Sequence, residues 1–93
     1  MKPPPVRAHV WIAGRVQGVN FRAYAEDEAG FRTIRGWVRN LPDRRIEAVF
    51  EGSPSAVEAM IRWCYTGSPA SEVTSVDVVW EAPKKERGFQ VRG

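Results

Sequence analysis

Nine residues, Gly14-Arg15-Val16-Gln17-Gly18-Val19-Asn20-Phe21-Arg22, do most to restrict the folds open to this chain. An alternating apolar run ends just before them and a helical pattern begins at Phe21, so they make a strand-to-helix connection with a glycine at each end of a short bend. Glycine has no Cβ, so it takes φ > 0 at no steric cost and lets a ligand come close to the backbone. The amides of residues 15–19 can then turn inward as a nest, with the positive end of the next helix behind them and Arg22 in its first turn. Such a bend suits a phosphoryl group, although a glycine turn before a helix is also an ordinary structural device. It is not a nucleotide-triphosphate loop, which ends in Gly-Lys-Ser/Thr, because here Val19 and Asn20 follow the second glycine.

The rest of the chain supplies strands and helices around that bend. Pro3-Pro4-Pro5 removes three successive amides, so residues 1–6 are expected to form a flexible tail ahead of a single domain at 7–93. Residues 7–13 alternate, with Ala8, Val10 and Ile12 on one face and His9, Trp11 and Ala13 on the other, as a half-buried strand does. His9 then reads as a surface or cross-strand residue and not as a catalytic base. Phe21, Tyr24, Ala25, Glu28 and Ala29 share one face of the first helix. Its end has two readings: Gly30 inside the helix, at about 1 kcal/mol, or a stop at Gly30 and a longer loop. Residues 34–40 form a second strand, Leu41-Pro42-Asp43-Arg44 a turn, and residues 46–51 a third strand antiparallel to the second. Ser53 caps a second helix with Pro54 at its first position. Val57, Met60, Ile61 and Cys64 repeat at helical spacing, which makes Cys64 a core residue and not a nucleophile. Gly67 and Pro69 end that helix, and a fourth strand over residues 73–80 puts Val76, Val78 and Trp80 on one face. A charged, solvent-exposed loop is expected over residues 83–88, and Phe89 and Val91 mark a short last strand. The order is β-α-β-β-α-β plus a short terminal strand: an α+β ferredoxin-like two-layer sandwich, an antiparallel sheet with two helices on one face.

Bulk properties narrow the function classes. Ninety-three residues hold one modest core. No apolar run is long enough to span a bilayer and the N-terminus lacks a signal peptide's apolar centre, so a cytoplasmic protein without membrane contact is expected. Cys64 is the only cysteine and His9 the only histidine, so neither an internal disulfide nor a metal site is expected. A net charge of +3, carried mainly by arginine, favours anionic partners and forked binding of phosphate or carboxylate.

Residues 14–22, together with Gly36-Trp37-Val38-Arg39-Asn40, resemble the paired signature of the acylphosphatases, small enzymes that hydrolyse the carboxyl-phosphate bond of acyl phosphates. Arg22 and Asn40 stand 18 positions apart, the spacing of that family, and the resemblance runs from Arg7 to Arg92. It implies that Arg22 and the backbone amides of Arg15, Val16, Gln17, Gly18 and Val19 bind the phosphoryl group. It also implies that Asn40 positions the attacking water, and that the substrate's own phosphate accepts that water's proton. The reaction gives a carboxylate and inorganic phosphate, which as product is expected to inhibit competitively. No cofactor and no metal are implied, and a monomer is expected. This fits the chemistry, since a carboxylate leaves without protonation and a loose transition state needs mainly positioning.

The chain departs from the family in two places. A leucine and a glycine usually stand where this chain has Arg32 and Thr33, and Gly30 is unusual. The reading with Gly30 inside the helix is preferred, because it keeps the spacing from Arg22 to Asn40 without compensating insertions. The turn after Asn40 lacks the family's glycine at or next to Arg44-Arg45, which leaves a different turn type open. Two other functions fit the fold class. Trp11, Trp37 and Arg39 could form an RNA-stacking platform, but Glu47 and Glu51 put negative charge on the central strand, so no nucleic acid is expected. A silent regulatory or ligand-binding module is the other, and the free-standing length argues against it.

Overall fold

A computed structural model of the chain describes residues 2–93. Its elements follow as β1 (Val6–Arg15), α1 (Phe21–Phe31), β2 (Arg35–Asn40), β3 (Ile46–Gly52), α2 (Pro54–Thr66), β4 (Glu72–Glu81) and β5 (Phe89–Arg92). They build the expected ferredoxin-like sandwich, with strand order β4-β1-β3-β2-β5. The sheet is mixed and not wholly antiparallel, because β5 pairs parallel to β2 while the other pairs are antiparallel. The cause is the crossing: residues 82–88 pass from one edge of the sheet to the other with a single reversal, which leaves β5 running with β2.

Alternation along β1 turns Ala8, Val10 and Ile12 inward against Phe21, Ala25 and Ala29 of α1 and Val57, Met60 and Cys64 of α2, all essentially closed to solvent. Each large apolar side chain so buried contributes about 1.5–3 kcal/mol. Cys64 is wholly buried, and burial pushes its thiol well above the ordinary range, as suits a core residue. Tyr24 departs from the expected stripe: it is 43% exposed, at the flank of α1.

Helix α1 runs through Gly30, and Thr33 takes the left-handed conformation at φ 56°. The amide of Ile34 reaches the carbonyl of Ala29 at 2.8 Å, and Ile34 is buried, so a paired closing turn and its apolar contact hold a non-glycine residue in place. At the β2–β3 turn, Arg44 takes φ 77° with no glycine present. Its amide bonds the Leu41 carbonyl at 3.1 Å and the Leu41 amide bonds the Arg45 carbonyl at 2.8 Å, so the left-handed position is kept and not replaced by another turn. Asp43 accepts from the Arg45 amide at 3.1 Å, which braces it.

Several strand boundaries move by one or two residues, and one loop is held differently from the expectation. Strand β1 begins at Val6, inside the segment assigned to the tail, and continues through Arg15; Met1, the first residue of that segment, lies outside the described residues. The loop over residues 83–88 is tied down at two points, not simply solvated. The amides of Lys84 and Glu86 donate to the buried Glu51 carboxylate at 2.7 and 3.0 Å, and Glu86 pairs with Arg7.

Candidate active site

The bend between β1 and α1 uses its two glycines for different purposes. Gly14 (φ 119°) sits where the β1–β4 register slips, and any Cβ there would run into the Glu72 carbonyl, so its need for glycine comes from the sheet. Gly18 (φ 75°) faces open space, with nothing within 4 Å of the position a Cβ would take. Room for a ligand therefore exists at the second glycine and not at the first. Asn20 then enters α1 in the left-handed conformation (φ 63°), and its side chain caps nothing. The first amides of α1 have no partner inside the helix, and no side chain replaces one.

These amides open on a cavity of about 370 Å³ whose wall includes Val16, Gly18, Asn20, Phe21, Arg22 and Asn40. Arg22 is half-buried, and one guanidinium nitrogen donates to the Arg92 carbonyl of β5 at 2.8 Å. That bond fixes the head of the side chain and leaves its other donors for a ligand. Asn40, the last residue of β2, contributes a buried Oδ1 that has no hydrogen-bond partner among the described residues. A buried acceptor left unpaired costs about 1–3 kcal/mol, so its position in this wall calls for a bound donor.

Of the residues expected to hold phosphate, Val16, Gly18 and Arg22 line the cavity with Asn40, whereas Arg15, Gln17 and Val19 do not. Arg15 ends β1 opposite Glu72. Gln17 turns its side chain to the β2–β3 turn, donating to the Leu41 and Arg45 carbonyls at 2.8 and 3.0 Å. The Val19 carbonyl is taken by the buried Ser68 hydroxyl at 2.6 Å. Because the two ends of a planar peptide point opposite ways, that bond aims the Asn20 amide away from Ser68. Ser68 and the Arg92 carbonyl are 49 and 70 positions from their partners, and no local pattern marks either. Asn20 carried a signal, since asparagine tolerates the left-handed region better than most residues.

On the helix-free face a group of buried and half-buried charges is already paired. Arg7, 4% exposed, pairs with Glu51, Glu81 and Glu86, each at 2.8 Å. His9 lies between Glu47 at 2.7 Å and Glu81 at 2.8 Å, and Arg39 bonds Glu47 at 2.6 Å. Arg7, with His9, holds the Glu81 carboxyl down at about 2. Burial works against ionising Glu51, yet the Lys84 amide and Arg7 outweigh it and lower its pKa. Trp11 stacks on His9 at 4.1 Å, and Arg92 lies over the Trp37 ring at 4.6 Å. Each aromatic ring proposed as a platform for bases thus already has one of the protein's own side chains against it.

Among the described residues, no cluster of histidine, cysteine and carboxylate side chains is arranged to hold a metal, and no helix is long and apolar enough to cross a membrane. The acylphosphatase family model matches residues 8–91. An acylphosphatase of Natronomonas pharaonis is 55% identical over 87 residues, covering 94% of this chain and 95% of that one. One from a Synechococcus strain is 58% identical over 87 residues, covering 94% and 93%. The crystal structure of an acylphosphatase from Bacillus subtilis superposes with a TM-score of 0.92 at 32% identity, covering 95% of this chain and 99% of that one.

Proposed function

The chain belongs to the acylphosphatase family, and on that premise we propose that it hydrolyses acyl phosphates in the cavity between the start of α1 and the end of β2. The phosphoryl oxygens sit against the uncapped amides of α1, the Gly18 bend and the Arg22 fork. Positive charge there grows in value as negative charge spreads over the equatorial oxygens in the transition state. Asn40 Oδ1 accepts a hydrogen bond from a water and holds it in line with the bond that breaks. The water oxygen bonds to phosphorus, the bonding pair leaves with the carboxylate, and the water's proton passes to a phosphoryl oxygen of the substrate itself. The side chains on the cavity wall include neither histidine nor lysine, and the mechanism asks for neither.

The observation that carries this reading is that Asn40, whose buried Oδ1 has no partner among the described residues, lines the same cavity as Arg22. The test is release of phosphate from acetyl phosphate by the wild type and by Asn40→Ala, with circular dichroism as a folding control. Removing one well-placed polar group lowers kcat by about two orders of magnitude, while inhibition by inorganic phosphate is unchanged. A folded Asn40→Ala enzyme with near-normal kcat contradicts the assignment.

A further inference from the structure

We infer that the Gln17 side chain is a positioning residue: it ties the phosphate-binding bend to the turn after Asn40 and so sets the distance between the phosphoryl group and the water. The inference rests on the reading of Asn40 given above. Both protons of the Gln17 amide are used, on the carbonyls of Leu41 and Arg45. Leu41 directly follows Asn40, and Gln17 directly precedes Gly18, the residue of the bend whose Cβ position is open. One side chain therefore spans the two pieces of chain whose separation matters to an in-line attack, 24 positions apart in sequence.

The two carbonyls do not need Gln17. Leu41 O also accepts from the Arg44 amide and Arg45 O from the Leu41 amide, so the turn closes without it. A tether that neither satisfies an orphaned group nor fills the core is poorly explained as a stability device. The bend is held separately, from its other side, by Ser68 on the Val19 carbonyl. Loss of Gln17 should then leave the phosphate cradle standing and free only the Asn40 end, where a shift of about 1 Å costs up to a hundredfold in rate.

The experiment uses the full chain carrying Gln17→Met, which keeps length without donors, and Gln17→Glu, which sets a carboxylate against two carbonyls. Kinetics on acetyl phosphate, inhibition by inorganic phosphate and thermal denaturation are measured for each, and Gln17→Met is repeated in the Asn40→Ala background. The expected result is a fall in kcat of about tenfold, with the phosphate inhibition constant close to wild type and no further loss in the double variant. Equal loss of phosphate binding and kcat, a kcat loss that adds in full to that of Asn40→Ala, or failure of both variants to fold would each overturn the proposal. If Asn40→Ala alone keeps its kcat, the functional reading fails instead, and that outcome is visible before Gln17 is touched.

Discussion

Helix α2 starts as a helix built for stability starts, and α1 does not. Ser53 accepts from the Ala56 amide at 3.3 Å and Pro54 occupies the first helical position, so α2 leaves few donors wanting. Helix α1 starts from a left-handed Asn20 whose side chain caps nothing, and it opens on a cavity. The same contrast separates the two faces of the sheet. On the helix-free face Arg7, His9, Glu47, Glu51 and Glu81 all have partners, whereas Asn40 on the cavity wall has a buried acceptor with none. Unsatisfied polar groups gather at one end of this molecule, on the cavity proposed above to take the charged substrate.

The strongest way to break the comparison is at Arg22. Arg22→Lys keeps the charge but loses the fork, and kcat/KM for acetyl phosphate is expected to fall about a hundredfold or more; near-normal turnover would mean that the start of α1 is no site. The helix-free face is probed with acid. Glu81 is held at about 2 against an ordinary 4.5, so the stability it contributes is complete above pH 4.5 and is lost as pH falls toward 2. Glu81→Gln should lower the melting temperature at pH 7 and flatten the acid limb between pH 4.5 and 2, with activity at pH 7 unchanged. An unaltered limb would show that the network is not load-sharing.

Smaller effects sharpen the contrast between the helices. Ser53→Ala should cost about 1 kcal/mol in a denaturant titration, with kcat unchanged, because the α2 cap serves stability alone. Arg44→Gly should gain about 0.5 kcal/mol, the left-handed strain of an arginine less the entropy of a glycine. A loss of stability there would mean that the braced turn had already absorbed the strain.

Much of this was legible in the chain because it depended on local pattern. The alternation in residues 7–13, the Ser53-Pro54 start and the spacing of Val57, Met60 and Cys64 each have one cheap structural solution, and the molecule adopts it. Arg22 and Asn40 were legible as a pair, through the resemblance, before anything placed them on one cavity wall. What stayed hidden is set by contacts between distant segments. The hold of Arg92 on Arg22, of Ser68 on Val19 and of Glu51 on the 83–88 loop arises only when the sheet brings those segments together. The parallel pairing of β5 likewise depends on which edge the chain reaches, a matter of geometry beyond a four-residue strand. Thr33 and Arg44 show the reverse: the left-handed conformation is imposed by the surrounding turn although neither residue favours it.

The most direct test of the central claim is a calorimetric titration of inorganic phosphate into the wild type, Arg22→Ala and Asn40→Ala, paired with their melting curves. If the open start of α1 and Arg22 hold the phosphoryl group while Asn40 holds only water, the wild type and Asn40→Ala bind phosphate alike. Both should then gain about 1.4 kcal/mol at ten times the dissociation constant, while Arg22→Ala shows neither binding nor stabilisation. Loss of phosphate binding in Asn40→Ala to the same extent as in Arg22→Ala, or full binding in Arg22→Ala, would contradict the account.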